Sequence, residues 1–250
     1  MVGAMTPLAA YGDFNPLGTS HWVMLGVFVA GIWPVVLLGR RHRGRPSAVT
    51  VSRAYAVLIP CVTIPLQVID FLPGRYSLQT TLPIQLCDLA WIAATVALWT
   101  HRRTAVAVTY FWGLGLTTQG LLTPSLARDF PDPKFLAYWG MHILVVWAAI
   151  FLTWGLGLHP SWRDYRVTVA LTAAWAVTVF IVNSILGTNY GFINRKPGAA
   201  TILDYLGPWP LYVVVEIALI TAIWALMTWP WVRRDAGAPD RRREGASAGE

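Results

Sequence analysis

Seven stretches of mostly apolar residues follow one another along the chain, and they constrain its fold more than any other feature. A run of about 20 apolar residues, wound into an α-helix, crosses the roughly 30 Å hydrocarbon core of a bilayer. Only 12% of the residues are charged, against roughly 25% in soluble domains. The pattern predicts an all-α fold, a polytopic membrane bundle of seven transmembrane helices, at approximately residues 20–39, 53–72, 82–100, 104–122, 137–157, 166–187 and 209–229.

The segments outside these runs are short. Residues 1–19 are predicted to be an external N-terminal segment, 20–230 the seven-helix transmembrane domain, and 231–250 a disordered cytoplasmic tail rich in charge, Gly and Ala. The third and fourth runs are separated by a few residues around Arg102, which predicts a tight helical hairpin. The first 19 residues lack the pattern of a cleavable signal peptide, so the first run is expected to act as the targeting signal.

The cations indicate the orientation of the bundle. Alternate connections, with the tail, carry 14 of the 19 Lys and Arg residues, and the opposite set carries the other five. Because cytoplasmic segments retain an excess of Lys and Arg, we expect the N-terminus outside and the C-terminus in the cytoplasm. The net charge of +7 does not predict a nucleic-acid partner, since these cations flank membrane runs and no nucleic-acid motif accompanies them.

Polar residues concentrate in the predicted outer half of the bundle. In the stretch LPIQLCDLAW, the side chains of Gln85, Cys87 and Asp88 fall within one helical turn, with Pro83 suited to the first turn and Thr80 or Thr81 as a cap. Counted from the predicted starts of their helices, Cys87 and His142 lie at the same depth of about 7 to 8 Å. The other polar residues at this level include His21, Gln119, Asn183 and Glu216.

A thiol and an imidazole at one depth can form a nucleophile and its base, so Cys87 and His142 are the candidate catalytic pair. Asp88 is expected to accept a hydrogen bond from His142 or to bind a neighbouring helix, while Gln85 or Asn183 could donate to an oxyanion. The alternative for each polar residue taken singly is a hydrogen bond between helices. A metal site built from His21, Cys87, Asp88 and His142 is chemically feasible, but no short metal-ligand spacing supports it, and neither metal nor cofactor is expected.

The longest external connection, GTNYGFINRKPGAATILDYLGPWPLY, carries adjacent cations, Arg195 and Lys196. Its glycines and prolines predict a succession of turns. The two cations are candidates to hold a lipid phosphate, with Gln119 and Glu216 as further substrate-binding candidates; the alternative is non-specific contact with headgroups. The lysines, Lys134 and Lys196, both lie in connections, which excludes a retinal Schiff base within a helix.

These motifs together resemble a known family. His21, LPIQLCDLAW, YFWGLGLTTQGLLTP, WGMHILVVW and GTNYGFINRKPG followed by LDYLGPWPLY occur in the order found in YwaF-like integral membrane proteins, the bacterial relatives of transmembrane protein 164. The similarity covers roughly residues 15–230. It implies a seven-span fold in a cell membrane, with a bacterial plasma membrane expected, and a lipid acyltransferase that uses a cysteine and a histidine, which correspond to Cys87 and His142.

Two functions of different classes follow from the sequence. The first is an acyltransferase that moves fatty acyl chains between phospholipids and lysophospholipids through a Cys87 thioester, with His142 as base, in the outer half of the membrane. The second is a non-enzymatic lipid or small-solute binding or transport protein, in which the outer polar cluster is a binding cavity. The acyl donor, the acceptor and the oligomeric state are left open by the sequence.

Overall fold

A computed structural model describes residues 12–74, 76–197 and 202–236. Its regular elements are all helical, and within these ranges the only β-type pairing is an isolated bridge between Asp13 and Arg128. The α-helices are α1 (Thr19–His42), α2 (Ser47–Asp70), α3 (Leu86–Thr100), α4 (Arg103–Phe111), α5 (Thr118–Leu122), α6 (Pro133–Ile150), α7 (Trp162–Leu186) and α8 (Leu211–Ala236). The all-α prediction is therefore confirmed.

Two π-helical turns extend this set. Trp112–Thr117 joins α4 to α5, and Phe151–Gly155 continues α6. The described chain thus forms seven helical segments, of which five are long and apolar enough to cross a membrane: α1, α2, α6 with its π turn, α7 and α8. The remaining two are α3, which is shorter, and the segment of α4, π turn and α5.

Several predicted boundaries are wrong by one turn or more. α2 begins at Ser47 rather than near residue 53, and α6 begins at Pro133 rather than near 137, where Asp132 caps it by accepting from the Lys134 backbone N–H at 2.7 Å. α8 continues to Ala236, past the predicted end of the membrane domain at residue 230. The rest of the predicted tail, 237–250, and residues 1–11 of the predicted external segment lie outside the described residues.

The predicted hairpin between the third and fourth runs is confirmed. α3 ends at Thr100 and α4 begins at Arg103. His101 between them adopts a left-handed conformation, φ 50°, and its backbone N–H donates to the Ala97 carbonyl at 2.8 Å. This closes the helix and reverses the chain within two residues.

Contacts between distant connections define the two ends of the bundle. At the arginine-rich end, where α1 meets α2, α3 meets α4 and α6 meets α7, Arg103 of α4 binds Asp164 of α7 at 2.8 Å. At the opposite end, which we call the Cys87 end, the Leu82 backbone N–H donates to the Tyr190 hydroxyl at 3.0 Å. The α2–α3 and α7–α8 connections therefore lie together at the Cys87 end.

The fifth segment, α6 with its π turn, is the centre of the bundle. Of its most apolar stretch, 67% is buried within the protein, whereas the corresponding stretches of the other four long segments are 11 to 24% buried. Those four segments present large exposed apolar side chains such as Trp33, Val68 and Ile185, as lipid-facing helices do. The candidate base His142 is thus carried by the most buried of the five long segments.

Small residues set the distance between the first and fifth segments. A Cβ added to Gly39 would lie 2.5 Å from the Cα of Gly155, so the two backbones touch. Nearer the Cys87 end, Gly31 leaves room for the indole of Trp147, whose Nε1 donates to the Phe28 carbonyl at 3.0 Å. Close approach at small residues is a main source of helix association in membranes, and here it fixes α1 against the central segment.

Candidate functional site

Cys87 lies in the first turn of a short helix. α3 starts with Gln85 as its N-cap, so Cys87 is the second helical residue and Asp88 the third. The Asp88 carboxylate accepts from the Gln85 backbone N–H at 3.0 Å, which caps the helix. With 15 residues, α3 is about 22 Å long and too short to cross the hydrocarbon core by itself. The Cys87 thiol therefore lies in the first turn of a helix that begins inside the protein.

This start differs from the prediction. The helix begins at Leu86 instead of near Leu82, so Pro83 is not in its first turn and Thr80 or Thr81 does not cap it. The predicted equality of depth between Cys87 and His142 assumed helix starts at 82 and 137, and both starts are wrong. The carboxylate of Asp88 also has a different partner from those predicted: it caps its own helix.

The hydrogen bonds of His142 define its tautomer. The ring is buried on the central helix, and its Nδ1 lies 2.7 Å from the Tyr138 carbonyl oxygen, one turn earlier. A carbonyl oxygen only accepts, so Nδ1 must carry the proton. In the neutral ring Nε2 is then unprotonated, and an unprotonated imidazole nitrogen is the form that a general base requires.

Gly120 of α5 makes room for this nitrogen. A Cβ at position 120 would lie 2.6 Å from both Nε2 and Cδ2 of His142 and 3.1 Å from the Tyr138 hydroxyl. The Tyr138 ring stacks on the imidazole with centroids 4.0 Å apart, and its hydroxyl donates to the Gly120 carbonyl at 2.7 Å. Tyr138 and Gly120 thus hold the plane of the imidazole and the space beside its unprotonated edge.

Cys87 borders the same group of side chains. α3 packs on α6, and the Tyr138 hydroxyl is near enough to the Cys87 thiol for the two to interact electrostatically. Among the described residues no hydrogen bond joins the Cys87 sulfur to His142. Catalytic hydrogen bonds are often long in unliganded enzymes and shorten when substrate binds. The arrangement is a half-buried thiol and an imidazole on adjacent helices, with Tyr138 stacked on the imidazole.

The loop after α7 is fastened over the start of α3. Oε1 of Gln85 accepts from the Gly191 backbone N–H at 2.8 Å. The Tyr190 hydroxyl donates to the Leu78 carbonyl at 2.6 Å and accepts from the Leu82 N–H. The Trp175 indole of α7 donates to the Ile84 carbonyl at 3.0 Å. These bonds fix the irregular backbone that precedes Cys87.

Asn183, near the end of α7, organises that loop. Its Nδ2 donates to the Tyr190 carbonyl at 2.9 Å and to Asn194 Oδ1 at 2.8 Å. Its Oδ1 accepts from the Thr188 hydroxyl and from the Tyr190 N–H, each at 2.8 Å. Both amide hydrogens are therefore used, and the side chain supports the loop rather than presenting a donor to a substrate.

We expect Asn183→Ala to lower the free energy of unfolding by about 3 kcal/mol, because it leaves buried loop groups without partners. Thermal unfolding in detergent, followed by far-UV circular dichroism, measures the change. Thr178→Ala is the matched control, since Thr178 is an exposed polar residue of the same helix that bonds only within it. Equal stability of the two variants would contradict the role of Asn183 as the anchor of this loop.

The two side chains that are candidates to bind a phosphate have different surroundings. Arg195 is exposed, and its backbone N–H and carbonyl pair with the side chain of Asn189. Lys196 is half-buried, with Nζ 3.7 Å from an Asp204 carboxylate oxygen and 5.7 Å from the centre of the Tyr212 ring. The Arg195 guanidinium therefore extends from the loop, whereas the charge of Lys196 is already shared with a carboxylate.

The remaining candidates lie apart from the thiol. His21 is buried; its Nδ1 accepts from the Leu17 N–H at 3.0 Å, just before α1, and its Nε2 donates to the Leu121 carbonyl of α5 at 2.9 Å, so both ring nitrogens make structural hydrogen bonds. Gln119 is exposed beside Gly120, and Glu216 is half-buried on α8, one turn after Tyr212. No described contact joins these three residues to Cys87.

Tyr138 and Gly120 were missed in the sequence analysis. Tyr138 precedes His142 by four residues, so the spacing in YWGMH places both side chains on one face of a helix and could have indicated the pair. Gly120 had no such signal, because its role depends on the approach of α5 to α6. Within the described ranges, no group of three or more His, Cys, Asp or Glu side chains is arranged to hold a metal ion.

Comparison with known proteins gives one family. A family model described as the TMEM164 family matches residues 16–228, which is most of the chain and covers the first six segments of the bundle and α8 as far as residue 228. Neither the curated proteins nor the solved structures contain a match to the chain.

Proposed function

The chain belongs to the TMEM164 family, and from this membership and the geometry around Cys87 we propose that it is an integral membrane acyltransferase. It moves fatty acyl chains between phospholipids and lysophospholipids. The observation that carries the proposal is the tautomer of His142: Nδ1 is bound to a carbonyl, so that Nε2 is unprotonated, on the helix packed against that of Cys87. A membrane protein with these two groups in its interior has a nucleophile and a base at the level of lipid esters.

The first half of the reaction forms a thioester. Nε2 of His142 takes the thiol proton, and the Cys87 sulfur attacks the carbonyl carbon of a phospholipid ester. The C–O bond to the glycerol breaks, and the departing oxygen takes the proton from His142. The products are an acyl chain on Cys87 and a lysophospholipid.

The second half returns the enzyme to its starting state. The hydroxyl of an acceptor lysophospholipid gives its proton to Nε2 of His142 and attacks the thioester carbonyl. The C–S bond breaks, the sulfur recovers a proton from His142, and a new phospholipid leaves. Because the site is set into the protein, water is limited there, and transfer is favoured over hydrolysis.

The loop over α3 supplies the substrate contacts. The exposed guanidinium of Arg195 can bind a lipid phosphate in bidentate geometry, whereas Lys196, held by Asp204, contributes less. Backbone N–H groups in the first turn of α3 are the nearest donors for an oxyanion on the acyl carbon, since Asn183 is fully used by the loop. Gln119 and Glu216 are peripheral in this arrangement.

The orientation completes the proposal. The connections at the arginine-rich end carry the excess of cations and face the cytoplasm, so the N-terminus and the Cys87 end face outward. The protein then acts on the outer leaflet of a plasma membrane, with seven spans. Accessibility of single cysteines introduced at Arg45 and Tyr205 to an impermeant maleimide in a Cys61→Ala, Cys87→Ala background tests this orientation.

The function is tested by incubating the purified protein with a phospholipid labelled in one acyl chain and an unlabelled lysophospholipid. We expect the label to appear in the second lipid, and intact mass to show one acyl adduct that hydroxylamine removes, as it does a thioester. Absence of both adduct and transfer, over a panel of headgroups, would overturn the proposal.

The second candidate is the lipid or small-solute binding protein. The absence of a hydrogen bond between Cys87 and His142 in the described structure favours it, because it leaves the pair unassembled. Under this alternative, binding of a lipid would survive both Cys87→Ser and His142→Ala, and no adduct would form. The two functions are therefore distinguished by the adduct.

A further inference from the structure

A second candidate site lies at the arginine-rich end, away from Cys87. There a pocket of about 330 Å³ opens between the α3–α4 hairpin and the chain that joins the fifth segment to α7. This volume is at the lower end of the range of small-ligand sites, roughly 300–1,000 Å³. The pocket is lined by His101, Arg103, Val106, Ala107, Gly157, Leu158, His159 and Pro160.

His101 contributes a buried atom without a partner. Its Nε2 is inaccessible to solvent and makes no hydrogen bond within the described structure. Burial and the nearby Arg53 guanidinium lower the pKa of His101 below its usual value. A buried polar atom that is left unpaired costs about 1–3 kcal/mol, so a ligand that accepts a hydrogen bond at this position would recover that energy.

The remaining polar groups around the pocket are cationic or aromatic. Arg103 uses its Nε to bind Asp164, which fixes the guanidinium and leaves the two terminal nitrogens for another acceptor. Arg43 lies against the backbone of Gly157, where a Cβ would come within 2.3 Å of its guanidinium. The rings of His159 and Trp231 are stacked, with their centroids 5.1 Å apart and an angle of 8° between their planes. The Asp164 carboxylate, next to this pocket, already accepts hydrogen bonds from Arg103 and from Ser161.

We propose that this pocket binds a phosphate group, held by the terminal nitrogens of Arg103, the guanidinium of Arg43 and the Nε2–H of His101. Planar guanidinium groups bind phosphate through paired hydrogen bonds, and basic pockets between membrane helices are suited to lipid headgroups. The apolar side chains of Val106, Ala107 and Leu158 provide a surface for the glycerol end of a lipid. The inference does not depend on the proposed acyl transfer.

The test uses the full chain in detergent and three probes: inorganic phosphate, dihexanoyl phosphatidic acid, and dihexanoylglycerol, which lacks the phosphate. We expect phosphatidic acid to bind and dihexanoylglycerol not to bind. If inorganic phosphate competes with phosphatidic acid, the site accepts phosphate from either source; if it does not, the site selects a lipid headgroup. Binding of dihexanoylglycerol as tight as that of phosphatidic acid would overturn the proposal.

Three variants locate the binding. His101→Asn removes the imidazole and keeps a residue that tolerates the left-handed backbone, and Arg43→Gln removes one cation; each should weaken phosphatidic acid binding by about tenfold. Arg45→Gln is the matched control, since it removes the same charge from the same connection, and Arg45 neither lines the pocket nor lies against Gly157 as Arg43 does. Leu158→Trp fills the pocket, should abolish binding, and provides a second measurement if His101→Asn fails to fold. Unchanged affinity in His101→Asn, Arg43→Gln and Leu158→Trp would refute the site.

Discussion

Replacing Cys87 by Ala is expected to abolish acyl transfer, with a fall of at least about 10³-fold in rate, because the acyl chain loses the atom that carries it. The hydroxylamine-sensitive adduct should disappear with it. The side chain is half-buried, so removal of its sulfur should cost only about 1 kcal/mol of stability. Transfer of a labelled chain and intact mass, measured on the same preparation, check both results.

Cys61→Ala is the control for this variant. Cys61 is exposed on α2, away from the first turn of α3, and its replacement should leave the adduct and the rate unchanged. Persistence of transfer in Cys87→Ala, or loss of the adduct in Cys61→Ala alone, would show that Cys87 is not the nucleophile. Loss of lipid binding together with transfer would instead indicate that the thiol shapes a binding cavity.

Replacing His142 by Asn is expected to slow formation of the acyl-enzyme by about 10² to 10⁴-fold, the usual contribution of a positioned general base. The Asn amide can still donate to the Tyr138 carbonyl in place of Nδ1, but it has no counterpart of Nε2. The variant therefore separates the base from the hydrogen bond that positions it. Single-turnover measurement of the adduct, with the melting temperature as a check on folding, gives the result.

His21→Asn is expected to have the opposite effect, lowering stability without lowering the transfer rate. The Nε2 of His21 holds α1 to α5 and its Nδ1 accepts from Leu17 before α1, so the variant should melt at a lower temperature while each folded molecule transfers acyl chains at the wild-type rate. If His142→Asn kept the wild-type rate, His142 would be a buried structural residue like His21, and the base would have to be sought elsewhere.

The helical architecture was predictable because a bilayer imposes it. Backbone groups within the hydrocarbon core must be paired inside the protein, so long apolar runs become helices, and the all-α fold and the α3–α4 hairpin followed from the sequence. The helix ends were less predictable. The start of α3 at Leu86 follows its N-cap Gln85, which the loop after α7 binds through Gly191, a contact between residues far apart in the chain.

The candidate site was predictable as a set of residues but not as a geometry. The predicted depth along two helices selected Cys87 and His142 as a pair. Depth does not show which groups each polar side chain contacts. The Asn183 amide and both nitrogens of His21 turned out to make structural hydrogen bonds. Such bonds depend on tertiary contacts, which a list of polar residues at one level does not contain.

The π-helical turn at Trp112–Thr117 changes the direction in which the later side chains of the fourth segment point. A π turn holds one more residue than an α turn, so every residue after it is rotated by about 100° relative to a continuous α-helix. Gly120, which meets the His142 ring, follows the turn, so its position around the helix includes that rotation. Removal of any one residue of the turn would redirect α5, even if every side chain near Cys87 were kept. The site therefore depends on the number of residues between Phe111 and Thr118 as well as on their identity.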